Sequence, residues 1–121
     1  MSATAQAPLS AHELAQFTGT EHYYAHALSR IKYTDGVKFL AERAACYWLI
    51  DKIGLSQRKR ALIGQFFQVW KLTAEGSRAT LVCDDGNGNV LLTEKIPFTD
   101  FPLPEIKLWF TDNVLILPSE Y

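Results

Sequence analysis

Glu21, His22 and His26 are the first side chains in this 121-residue sequence with the means to do chemistry. On a helix, His22 and His26 would stand one turn apart and offer two imidazoles to a divalent metal. A metal site needs a third ligand, and the zinc-protease pattern needs Glu directly after its first His. Position 23 is Tyr, so that pattern is absent. On a strand the two rings share a face but stand too far apart to chelate easily. The plainer reading is a pair of ordinary surface histidines, and no metal or other cofactor is expected.

His22, Tyr23, Tyr24, His26, Tyr33 and Asp35 also form a looser group ahead of a helix start. Phenols, imidazoles and a carboxylate there would suit a polar pocket for a small anion or peptide. An enzyme built on His22, Tyr33 and Asp35 is the catalytic version of this idea. The structural alternative has Thr34 or Asp35 capping the helix while the tyrosines pack with their hydroxyls at the surface.

Arg58, Lys59 and Arg60 are the only basic run, with Lys52 and Lys71 nearby in sequence. They are the candidate phosphate contacts for a nucleic-acid reading. No glycine-rich phosphate loop accompanies them, and a helix with a solvated basic face is the plainer reading. Cys46 lies mid-helix by pattern, and Cys83 precedes Asp84 and Asp85, whose charge disfavours a thiolate. Neither has the setting of a nucleophile. Asp84 to Asn89 is rich in oxygen, but a calcium loop of the EF-hand type needs Glu six residues after its glycine. Six residues after Gly86 stands Leu92, so the segment reads as a hairpin connection.

The elements that must position these residues follow from pattern. Ser10 and Glu13 have capping-box spacing and predict a helix from Ala11 to about Phe17, stopping at Gly19. Residues 20–31 fit a helix through Tyr24, Ala27, Leu28 and Ile31, yet the adjacent tyrosines also suit a strand. From 35 to 53 the apolar residues Val37, Leu40, Ala41, Ala44, Ala45, Trp48, Leu49 and Ile53 make one helical stripe, ended by Gly54. Ser56 is placed to cap a short basic helix ending at Gly64. Strand texture then takes over. Phe66 to Thr73, Arg78 to Cys83, Val90 to Ile96, Ile106 to Phe110 and Val114 to Leu117 alternate with turn signals. Pro97, Pro102 and Pro104 mark an extended link that cannot lie mid-sheet. These readings predict an α+β fold: N-terminal helices, then a four- to five-stranded antiparallel meander sheet, with the main helix (about 35–53) on one face.

Length and composition bound the function classes. A chain this long suits one domain at 10–121, with 1–9 as a disordered lead-in. At 48% hydrophobic and 21% charged it is an ordinary globular composition. Two cysteines exclude a disulfide framework, and the first residues lack a signal-peptide pattern. No apolar run approaches membrane length, so the expected setting is the cytoplasm without membrane contact. Residues 1–71 hold nine basic and five acidic side chains, and residues 72–121 hold three and eight. If the halves stay apart, the molecule is dipolar.

Five segments carry a resemblance: Phe17-Thr18-Gly19-Thr20-Glu21-His22-Tyr23-Tyr24, Tyr33-Thr34-Asp35-Gly36-Val37, Tyr47-Trp48-Leu49-Ile50-Asp51, Cys83-Asp84-Asp85-Gly86-Asn87-Gly88-Asn89 and Thr99-Asp100-Phe101-Pro102-Leu103-Pro104-Glu105-Ile106. Together they make the stretch from Leu14 to Tyr121 similar to an uncharacterised family of small bacterial proteins, often found on plasmids, phages or other mobile elements. The resemblance implies a stand-alone domain with an accessory role in mobile-element biology. It brings no catalytic residues with it. The functional expectation is a non-enzymatic binding protein with an unidentified protein partner; a nucleic-acid contact module and a small enzyme are the alternatives. The oligomeric state is open, since a meander leaves two sheet edges.

Overall fold

In a computed structural model the described residues are 9–19 and 21–121. The disordered lead-in expected over 1–9 therefore lies, up to residue 8, outside them. Helix α1 (Ala11–Ala15) starts as its spacing requires. The Ser10 hydroxyl accepts from the Glu13 backbone N–H, and the Glu13 carboxylate accepts from Ser10 N–H at 3.1 Å. Of the stretch 20–31, the described residues 21–31 follow the strand reading. β1 (Tyr23–Ala25) turns through His26–Arg30 into β2 (Lys32–Thr34).

The single helix expected over 35–53 is two helices, α2 (Asp35–Arg43) and α3 (Tyr47–Ser56). Between them Ala45 adopts a left-handed φ of 52°. Cys46 N–H donates to the Ala41 carbonyl and Ala45 N–H to the Glu42 carbonyl. That pair of bonds is a Schellman termination, which normally uses glycine at the left-handed position. An alanine there hid the break from sequence reading. The short basic helix expected after Ser56 is also absent: Ser56 closes α3, and the chain tightens into successive three-residue turns. These drop Leu62 into the core, where it is 2% exposed.

The sheet departs most from expectation. β3 (Phe67–Glu75), β4 (Arg78–Asp84) and β5 (Val90–Ile96) form the antiparallel meander. β6 (Glu105–Thr111) then returns past both to pair with β3, a Greek-key step. β7 (Val114–Ile116) pairs with β6 through a tight turn at Asp112 and Asn113, both at positive φ. β2 joins β7 in parallel, so the N-terminal hairpin extends the C-terminal edge. The result is a mixed seven-stranded sheet in the order β1-β2-β7-β6-β3-β4-β5. It replaces the expected four- to five-stranded meander, while the α+β class stands. Three-residue strands such as β1 and β2 carry too little alternation to announce themselves.

One face of the sheet is the core. Trp70 and Leu72 from β3, Leu81 and Cys83 from β4, and Leu108 and Phe110 from β6 alternate inward beneath α2 and α3. Gln57, the C-cap of α3, meets Gln68 of β3, and Lys52 of α3 pairs with Glu94 of β5, which shows which face the helices cover. The link from Pro97 to Pro104 crosses one end of the sheet and drives Phe101 into the core. The carboxylate of Glu120, in a 3₁₀ turn at Pro118–Glu120, accepts from Thr34 Oγ1 at 2.6 Å and Gly36 N–H at 3.1 Å. A Cβ on Gly36 would lie 2.7 Å from that side chain, so glycine permits this closure. No helix among the described residues is long and apolar enough to cross a membrane.

Candidate functional site

Asp35, the first residue of α2, gathers part of the expected tyrosine–histidine group. Its Oδ2 accepts the backbone N–H of Glu21 at 3.1 Å and of His22 at 3.2 Å. Its Oδ1 accepts the Tyr24 hydroxyl at 3.0 Å and lies 3.7 Å from His22 Nδ1. Tyr24 stacks on Tyr33 at 5.6 Å, with Lys38 Nζ 4.9 Å above the Tyr24 ring. The hydrogen bond to Asp35, with burial behind it, holds the Tyr24 phenol above its usual pKa. His22, Tyr24, Tyr33 and Asp35 thus meet, with the carboxylate tying residues 21–24 to the start of α2. Strand alternation sends Tyr23 to the opposite face, where it is 58% exposed. Neither of the two grooves described below touches any of these six residues.

His26 belongs to a different group, one that the sequence reading missed. Its Nε2 lies 2.6 Å from Asp51 Oδ1 on α3, and its Nδ1 lies 2.6 Å from Ser29 Oγ. Ser29 N–H also donates to Nδ1. Nδ1 is therefore the acceptor nitrogen, and Nε2–H donates to Asp51. This is the bonding order of a Ser-His-Asp relay with the ring nitrogens exchanged. A relay needs its hydroxyl presented to a substrate. Ser29 Oγ instead presses on α3, 2.3 Å from where a Cβ on Gly54 would stand. Both grooves lie elsewhere. The trio therefore staples the β1–β2 turn to α3, helped by a 3.5 Å contact from Arg58 Nη2 to the Leu28 carbonyl. A histidine three residues before a serine was the available signal; Asp51, 25 residues on, was not deducible.

The other sequence candidates have plain surroundings. Burial pushes the thiols of Cys46 and Cys83 up to about 12, with Asp84 adding to the second. In the 84–89 loop, Asp84 Oδ1 accepts Gly86 N–H, and Asp85 accepts from Asn87 and Asn89. Those bonds hold the Asp85 carboxyl below its usual range. The carboxylates serve their own loop. Arg58, Lys59 and Arg60 lie in the turns after α3 and are exposed. Lys59 reaches Glu94 at 3.5 Å and Lys52 pairs with it as well, and the two lysines hold the Glu94 carboxyl low.

The open face of the sheet is a further candidate surface. Phe67, Val69, Lys71, Val82, Thr80 and Trp109 point there, half-buried between core residues on each strand. A half-open groove of about 700 Å³ crosses the ends of β3, β4 and β5 on this side. Thr73, Glu75, Arg78, Thr80 and Lys95 line it together with Ala79, Ile96 and Pro97. A smaller groove of about 460 Å³ beside the α2–α3 break is lined by Ala45, Trp48, Ile96, Phe98, Thr99 and Asp100. Every basic residue of 72–121 (Arg78, Lys95 and Lys107) sits on the open face by strand register, together with Lys71. Glu75, Asp84 and Glu105 share that face, so cations and carboxylates are mixed on it.

Residues 9–121 match a family of unknown function (DUF6876), and the chain belongs to it. No curated protein and no solved structure matches the chain.

Proposed function

We propose that this chain is a non-enzymatic binding protein whose contact surface is the open face of its sheet. The observation that carries this reading is the contrast between the two faces. One is closed by α2 and α3, while the other has no helix over it among the described residues and holds the 700 Å³ groove. The groups best suited to catalysis support it from the other side. Asp35 accepts three protein donors, and Ser29 faces a helix backbone. A cytoplasmic setting, and an accessory role for a bacterial mobile element, are part of the proposal and rest on the family resemblance.

Affinity capture from a bacterial extract tests the reading, comparing the tagged chain with a Lys95→Glu/Lys107→Glu variant and an Arg60→Glu variant. Material held by the chain and by Arg60→Glu, but lost from the open-face variant, is the expected result. Equal capture by all three overturns the assignment of the surface.

A further inference from the structure

We infer that the open face binds single-stranded nucleic acid, with phosphates on a lane of cations and bases on an adjoining lane of aromatic rings. The inference rests on the open face being the binding surface and names its ligand. Strand register supplies the first lane. Lys95 of β5 stands opposite Thr80, and Thr80 opposite Thr73. Arg78 lies two residues before Thr80 on the same face. Lys107 of β6 stands directly opposite Lys71 of β3. Four neighbouring strands thus each contribute one cation. Lys95, Arg78 and Lys107 have no carboxylate within ion-pair distance among the described residues, while Lys71 has Glu105 at 3.5 Å.

Like charges directly opposite across a strand pair disfavour the sheet. Glu105 offsets Lys71 from one side of this pair, and an anion lying between the two ammonium groups would also neutralise Lys107. Glu75, Asp84 and Glu105 share the face, the last already paired with Lys71. Glu75 lies opposite Arg78, and Asp84 spends one oxygen on its own loop.

The second lane begins two residues further along β6, about 7 Å away. Trp109 meets Phe67 edge-on at 5.6 Å and Tyr121 edge-on at 5.2 Å. Gly86 lets the Phe67 ring settle there, since a Cβ would lie 2.9 Å from it. Tyr121 is 79% exposed. A single strand carries charge along one edge and flat bases along the other, which is the division this surface shows. A duplex keeps its bases stacked inward and would use the cations alone. The threonines at 73 and 80 add hydroxyls to the phosphate lane.

The test is fluorescence anisotropy with labelled twelve-residue oligo-dT and oligo-U, and a mixed-sequence twelve-pair duplex, at 20 to 150 mM salt with folding checked by circular dichroism. Single strands are expected to bind at 20 mM salt at least about tenfold more tightly than the duplex and to weaken steeply as salt rises. Lys95→Glu/Lys107→Glu should weaken binding at least about tenfold and flatten the salt slope by more than one unit. Tyr121→Ala, which removes a largely exposed ring, should cost about fivefold or more. Arg60→Glu should change little. No binding at 20 mM salt, equal affinity for duplex, or loss through Arg60→Glu instead of the open-face variants each overturns the inference. If oligonucleotides fail while a nuclease-resistant protein is still captured through Lys95 and Lys107, the open-face reading stands and only its ligand is wrong.

Discussion

Replacing Gln68 with Met should destabilise the fold by about 2 kcal/mol, through a single orphaned indole. Gln68 is 0% exposed, and all its hydrogen-bonding groups are used. Its Oε1 accepts from Trp70 Nε1 at 2.9 Å and from Gln57 Nε2 at 2.9 Å. Its Nε2 donates to Gln57 Oε1 at 2.8 Å and to the Gln65 carbonyl at 3.2 Å. Gln68 and Trp70 lie two apart on β3 and so share the core face. Methionine keeps the length and breaks these four bonds, together with the weak 4.0 Å one from Cys83 Sγ, which also reaches the Asp84 carbonyl. Gln57 and Gln65 are half-buried and can turn to water. Trp70 is 1% exposed and cannot. An unsatisfied buried donor costs about 1–3 kcal/mol, and the gain from a more apolar side chain offsets only part of it. At about 4 °C per kcal/mol for a chain of this size, the melting temperature should fall by about 8 °C. Urea unfolding followed by far-ultraviolet circular dichroism measures the change. The decisive control is the double-mutant cycle with Trp70→Phe, which removes the orphaned donor. Gln68→Met should cost about 1–2 kcal/mol less in that background. A loss below about 0.5 kcal/mol, or strict additivity in the cycle, would refute the reasoning.

Ala45→Gly should stabilise the fold by about 0.5–1 kcal/mol, because the left-handed φ of 52° penalises a side chain and not glycine; urea midpoints at constant slope check it. The Glu94 carboxyl, held low by Lys52 and Lys59, stabilises the fold above its ordinary value of 4.5, and that contribution fades as pH falls through the lower folded value. Wild-type stability should therefore drop more steeply below pH 4.5 than that of Glu94→Gln, as thermal melts across pH 3 to 6 would show. Cys46 and Cys83, with thiols pushed up to about 12, should resist a disulfide reagent at pH 8 in the native state and react only on unfolding. In Asp35→Asn the Tyr24 phenol should titrate at lower pH than in wild type, since the hydrogen bond to the carboxylate is the main cause of its rise. An ultraviolet alkaline titration reads it directly.

What could be read from the chain alone was local. The Ser10–Glu13 cap, the Asp84–Asn89 turn and the Thr111–Asn113 hairpin are set by neighbours a few residues apart, whose bonding options do not depend on the rest of the fold. The alternation in β3, β4 and β6 was legible for a related reason. Period-two burial leaves its record in residue type wherever one face is core and the other open. Only the tertiary structure decided the rest. Glu120 reaches Thr34 across 86 positions, and β2 finds β7 rather than a sequence neighbour. Lys71, Arg78 and Lys95 share a face through the β3–β5 meander, and Lys107 joins them only when β6 crosses back beside β3. His26 and Asp51 meet because the Ala45 break lets α3 run in its own direction past the β1–β2 turn. Each of these depends on which distant surfaces bury one another, and no short window of sequence encodes that choice.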